Sequence, residues 1–146
     1  MALQGLVTTG RVIQIVHGST TSGASTTAAT QTASNLTADI TPSSTSNKIL
    51  VMMSTSIYNS QAAAQSSTTI YRDSTNLGTA DRGIMQFSDF TNRFQANCTM
   101  VLTDEPNTLS SVTYKLYFRN ISSGMGTTFI GVDSTPQWVT LMEIEA

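Results

Sequence analysis

Between residues 112 and 119 the chain alternates. Val112, Tyr114, Leu116 and Phe118 point one way, and Thr113, Lys115, Tyr117 and Arg119 point the other. A period of two marks a strand with one buried face. Residues 96–103 repeat it, with Cys98, Met100 and Leu102 on one side. Residues 48–58 hold the strongest apolar run, Ile49 through Met53, and a run this continuous predicts a strand buried on both faces. Its second half, Ser54-Thr55-Ser56, is polar, so burial is expected to fade along it.

Shorter β-prone stretches complete the pattern. Val12, Ile13, Ile15 and Val16 make the first. Residues 18–32 are almost all Ser, Thr, Ala and Gly; they read either as an exposed strand of small side chains along a sheet edge or a neighbouring subunit or, by preference, as a loop leading into a strand near residues 29–40. Residues 68–72, 127–132 and 138–145 are strand candidates, and residues 83–94 are irregular or strand. Turn signals fall between them at Thr41-Pro42-Ser43-Ser44, Asp73-Ser74-Thr75-Asn76, Asp104-Glu105-Pro106-Asn107 and Ser134-Thr135-Pro136. The three alanines in residues 61–65 read as one helical turn. About eight short strands at this spacing predict an all-β fold. The expectation is an antiparallel β-sandwich, jelly-roll-like, formed by residues 10–146 behind an N-terminal arm of residues 1–9.

Composition agrees. Charged residues are 11% of the chain, under half the share of an average soluble domain. Serine and threonine fill roughly 30% of it. Threonine is β-branched and enters strands readily, while both hydroxyls favour turns over helix interiors. The net charge of −2 leaves no basic excess to neutralise phosphates, so nucleic acid is not an expected partner. No apolar run approaches the length of a membrane helix, so no membrane partner is expected. Residues 1–10 lack a cationic start followed by an apolar block, so no secretory signal is expected there. A single cysteine, Cys98, excludes an intrachain disulfide.

Candidate chemistry is sparse. His17 is the only histidine and sits at a strand end. Serines abound, yet no G-x-S-x-G elbow occurs. Asp73, Asp81, Asp89, Asp104 and Asp133 are scattered, without the spacing of a calcium loop. Glu143 and Glu145 share one side of the last strand, and the simplest reading is a solvated face. Cys98 alternates with Met100 and Leu102, as a buried, inert thiol would. The expectation is no catalytic residue, no cofactor and no metal. Trp138 and Tyr117 read as interface or core anchors rather than sugar platforms. In residues 1–9, Leu3, Leu6 and Val7 would let the arm order on a neighbour.

Four blocks carry a resemblance. "ITPSSTSNKILV" (residues 40–51) is similar to a block common in virion proteins of environmental tailed phages, which are described as tail fibres or as capsid-decorating proteins. "TIYRDSTNLG" (69–78) resembles their next strand and turn, "WVTLMEIEA" (138–146) their C-terminal strand, and "GRVIQIVHGSTTS" (10–22) their first strand and loop. Together the blocks cover roughly a third of the chain, and their order is more specific than any one of them. The resemblance implies a virion structural protein with a β-sandwich, often trimeric, and it carries over no catalytic residue. Fibre proteins bear a long upstream shaft, whereas about ten residues precede the first strand here. The expectation is therefore a decoration or cement protein on the outer head surface, a homotrimer bound to the major capsid protein. The alternative is a tail-fibre or receptor-binding domain that works through residues 59–67 and 120–126 and is attached to tail proteins.

Overall fold

The computed structural model describes residues 10–88, 93–122 and 124–146. The expected arm, with Leu3, Leu6 and Val7, lies outside the described residues. Eleven strands form among those described: β1 (Val12–Thr20), β2 (Ala24–Thr26), β3 (Thr32–Ile40), β4 (Lys48–Asn59), β5 (Gln65–Arg72), β6 (Thr75–Asn76), β7 (Met85–Ser88), β8 (Gln95–Asp104), β9 (Val112–Asn120), β10 (Thr128–Ile130) and β11 (Gln137–Ile144). They build two antiparallel sheets packed face to face, a β-sandwich.

The eleven segments group into eight columns. In the first sheet β4 is central. It pairs with β8 on one edge and with both β10 and β11, end to end, on the other. β1 pairs with β11 and β2 with β10, so β1 and β2 form one interrupted outer column. In the second sheet the order is β3, β9, β5, and then β7 and β6 end to end. Each step from one column to the next crosses between the sheets, except β5 to β6 and β7, which stay in the second.

Period-two patterning puts one set of side chains between the sheets. Ile49, Val51 and Met53 of β4, Cys98 and Met100 of β8, and Val139 and Leu141 of β11 face Leu36, Ile40, Ile70, Val112, Tyr114, Leu116 and Phe118 from the second sheet. The alternation read in residues 112–119 is therefore the inward set of β9. The β4 run is not buried on both faces. Leu50 and Met52 are only half-buried, because their side of the sheet has no covering layer among the described residues. Nor does burial fade along β4: Thr55, Ser56 and Asn59 are buried.

What changes along β4 is the chemistry of the interior. Asn59 Nδ2 donates to Ser66 Oγ at 3.0 Å and Thr128 Oγ1 at 3.2 Å, and those two hydroxyls lie 2.6 Å apart. Ser66 and Thr128 thus serve as core residues because each hydroxyl finds a partner, which removes most of the cost of burying it.

Two further expectations are corrected. Residues 61–65 form no helical turn. Ala63 adopts a left-handed conformation (φ 61°), which stops an α-turn from propagating. Residues 18–32 are not simply a loop, since β1 runs on to Thr20 and β2 follows.

The β10–β11 column is broken by residues 131–136. Buried Gln137 bridges the break, accepting from Thr55 Oγ1 at 2.9 Å and donating from Nε2 to the Ser22 carbonyl at 2.9 Å. One amide thereby ties β11 to the central strand and to the β1–β2 corner. Gly131 has φ 60°, and a Cβ there would lie 2.3 Å from Gln137 Nε2, so both backbone and space require glycine.

Candidate interaction face

The side chains on the outer surface of the first sheet follow from its register. Ile15, Met142, Leu50 and Thr103 form one row across four strands, His17, Thr140, Met52 and Val101 the next, and Ser19, Trp138, Ser54 and Thr99 a third. Among these twelve, no Asp, Glu, Lys or Arg occurs. Ile15 is 60% exposed, Val101 56% and Trp138 47%. Val12 and Ile13 extend the apolar surface at the β1 bulge.

Four of the polar atoms in these rows pair with one another. His17 Nδ1 and Thr140 Oγ1 lie 3.0 Å apart, as do Ser54 Oγ and Thr99 Oγ1. His17 stacks on Trp138 with ring centroids 5.6 Å apart. Charges stand at the ends of the face. Lys48 pairs with Glu105 at 2.8 Å and Arg11 with Glu145 at 3.4 Å beyond the first row. Arg93 and Asp133 mark the other end. An uncharged centre with methionine and tryptophan inside a charged rim has the make-up of a protein–protein contact.

A groove lies at the far end of the same surface. Tyr58 and Phe129, 5.6 Å apart, line a cavity of about 380 Å³ with Gly23, Ser25 and Asp133. Asp133 and Ser134 are both left-handed there. The two loops expected to bind a receptor meet: Ile121 N donates to the Gln65 carbonyl at 2.7 Å and Gln65 N donates to Ser122 Oγ at 3.0 Å, while Asn120 Nδ2 braces the second loop from within by donating to the carbonyls of Met125 and Gly126 at 2.8 and 2.9 Å. Their polar groups are engaged in holding the loops together.

The two expected aromatic anchors do not share a surface. Trp138 is on the exposed face of the first sheet. Tyr117 is on the outer side of the second, half-buried and stacked on Tyr71 at 4.0 Å.

The carboxylates are structural. Glu143 is not on a solvated face with Glu145: it is fully buried, at the inner end of β11. Its Oε1 accepts from Ser43 N at 2.7 Å, Ser43 Oγ at 2.8 Å and Asn47 Nδ2 at 2.7 Å, and its Oε2 accepts from Gln14 Nε2 at 2.6 Å. Burial alone would raise its pKa, but these donors outweigh burial and hold it down to about 2. Asp104 takes both of its contacts from Arg72 Nη1, at 2.7 and 2.9 Å, and accepts from the Tyr114 hydroxyl at 2.6 Å. Sequence reasoning missed both clusters, since their members lie 10 to 129 residues apart along the chain.

Cys98 is buried beside Met100 as expected, and burial pushes its thiol pKa up. No group of three or more His, Cys, Asp and Glu residues able to hold a metal is present among the described residues. The chain matches no protein-family model and no curated protein.

Proposed function

We propose that this chain is a structural protein of a phage particle, a decoration or cement protein bound to the outside of the head. The observation that carries the reading is the uncharged, apolar outer face of the first sheet. An uncharged face that leaves Ile15, Val101 and Trp138 exposed, with Val12 and Ile13 beside them, is the kind of apolar patch that marks a surface covered by protein. Two further features support it. The ordered blocks in residues 10–22, 40–51, 69–78 and 138–146 resemble phage virion proteins. The column order, with the first column beside the last in one sheet and the second beside the next-to-last in the other, supports reading the sandwich as a jelly roll, an architecture used by capsid domains.

In this reading the domain acts by geometry. A rigid sandwich, a homotrimer by the resemblance, bridges neighbouring major capsid subunits, and many modest contacts act together. Immunogold electron microscopy of purified particles tests it. Label is expected on heads, and particles without label contradict it.

The groove between Tyr58 and Phe129 favours a second reading, a tail-fibre or receptor-binding domain. Aromatic faces beside a carboxylate suit a saccharide. Label confined to tails, together with blocked host adsorption by antibody, would establish this reading in place of the first.

A further inference from the structure

We infer that the outer face of β1, β11, β4 and β8 is covered by a second copy of this chain. The inference rests on the proposed reading of that face as a packing surface and names what packs there.

Charge is the first argument. The twelve central positions hold no carboxylate, lysine or arginine, so a strongly charged partner finds no counter-charge. A copy of the same surface sets uncharged rows against uncharged rows. Each end of the face carries both signs, Arg11, Lys48, Glu105 and Glu145 at one end and Arg93 and Asp133 at the other. Whichever way a copy is turned, neither end forces like charges together. The net charge of −2 adds little repulsion between copies.

Hydrogen bonding is the second argument. Because His17 pairs with Thr140 and Ser54 with Thr99, those groups make few directional demands on a partner. Covering the face leaves the Ser19 and Thr103 hydroxyls, His17 Nε2 and Trp138 Nε1 to be met by the partner, and a second copy offers hydroxyls able to meet them, which limits the main cost of closing an interface.

Area is the third argument. Four strands at a spacing of about 4.8 Å and three outward rows span roughly 19 by 20 Å, about 400 Å² in plan. The accessible area of such a studded surface is larger, and a standard interface takes about 800 Å² from each partner. The face, with Val12 and Ile13 beside it, therefore supplies a large part of a stable contact. Met52 and Met142 at its centre are flexible enough to interdigitate with their own copies.

Sedimentation equilibrium of the full chain from low micromolar concentration upward tests this. The wild type is expected at two or three times the 15.6 kDa chain mass. The double variant Ile15→Lys, Val101→Lys is expected at the single-chain mass, and the single variant Ile15→Lys is expected to weaken association at least tenfold. Both positions are solvent-exposed in the single chain, so the fold is expected to persist, and circular dichroism checks that it does. Tyr117→Lys, on the opposite sheet, is expected to leave the assembly intact. A wild type that sediments as a single chain, lysine variants that still associate, or dissociation by Tyr117→Lys would each overturn the inference. A single-chain protein that nonetheless labels phage heads would overturn self-pairing and uphold the virion reading. An assembled protein absent from particles would do the reverse.

Discussion

Asn47 donates to Glu143 at 2.7 Å, and both residues are buried at the end of the sandwich where the loop between β3 and β4 meets β11. A carboxylate in that position is tolerable only because four donors converge on it. The cluster ties the loop, β1 and β11 together, and its charge is part of the fold.

Acid should therefore weaken the protein through Glu143. Its folded pKa of about 2 lies below the ordinary value of 4.5. The stabilisation is fully present above about pH 4.5 and is lost as pH falls towards 2. The linked free energy is on the order of 3 kcal/mol. Glu143→Gln should lower stability by about 2 kcal/mol at pH 7, because its amide would present a donor where donors already converge. It should also flatten the acid limb of the stability curve. Urea unfolding at a series of pH values measures both.

Tyr114 links the sheets through Asp104. Burial, and then the hydrogen bond to Asp104, raises the phenol pKa. Tyr114→Phe should cost about 2 kcal/mol, since the lost bond ends on a charged group. Removing Arg72 in addition should cost less than the sum of the two single changes, because both act on one carboxylate. A double-mutant cycle by denaturant unfolding measures the coupling.

Gln137 and Gly131 act as a pair at the break in the β10–β11 column. Gln137→Met should lose about 2–3 kcal/mol by leaving the Thr55 hydroxyl and the Ser22 carbonyl without their partner. Gly131→Ala should also destabilise, by about 1–3 kcal/mol, because its left-handed backbone and the Gln137 amide both oppose a methyl group. Thermal melts of the two variants test this.

Cys98 should be inert while the chain is folded. It is buried, with its thiol pKa raised by that burial. A thiol reagent should label it only as fast as the protein opens, and at once in denaturant. Rapid labelling of the native protein would show that β8 is not held against β5.

Much of the sheet architecture was legible in the pattern of residues. The alternation in β9 and β8 survives position by position, because each strand lies in a two-layer sandwich with one face inward. β4 misled for a reason of the same kind. Ile49 through Met53 are all apolar, and alternation within an all-apolar run is invisible. Which half faces in is set by the second sheet packing on that side, and that is a tertiary fact. β2 was hidden by small residues whose pairing with β10 depends on chain 100 residues away. The helical turn expected at residues 61–65 failed because local alanine propensity yields to a tight connection between β4 and β5. Trp138 was expected as a core or interface anchor, and the structure places it on the exposed face of the first sheet. Its uncharged surroundings were not legible, since they come from β1, β4 and β8 together. Glu143 could not be distinguished from Glu145 by spacing, because the difference lies wholly in Gln14, Ser43 and Asn47.

Trp138 is the only tryptophan in the chain and stands in the exposed face, so its fluorescence reports whether that face is covered. Emission and acrylamide quenching should be followed as the purified protein is concentrated. A face that functions by packing against protein should give blue-shifted, protected emission in the assembled state, returning to red-shifted, quenchable emission on dilution and in the Ile15→Lys, Val101→Lys variant. Emission and quenching that stay unchanged across the dilution series and in the variant would contradict it.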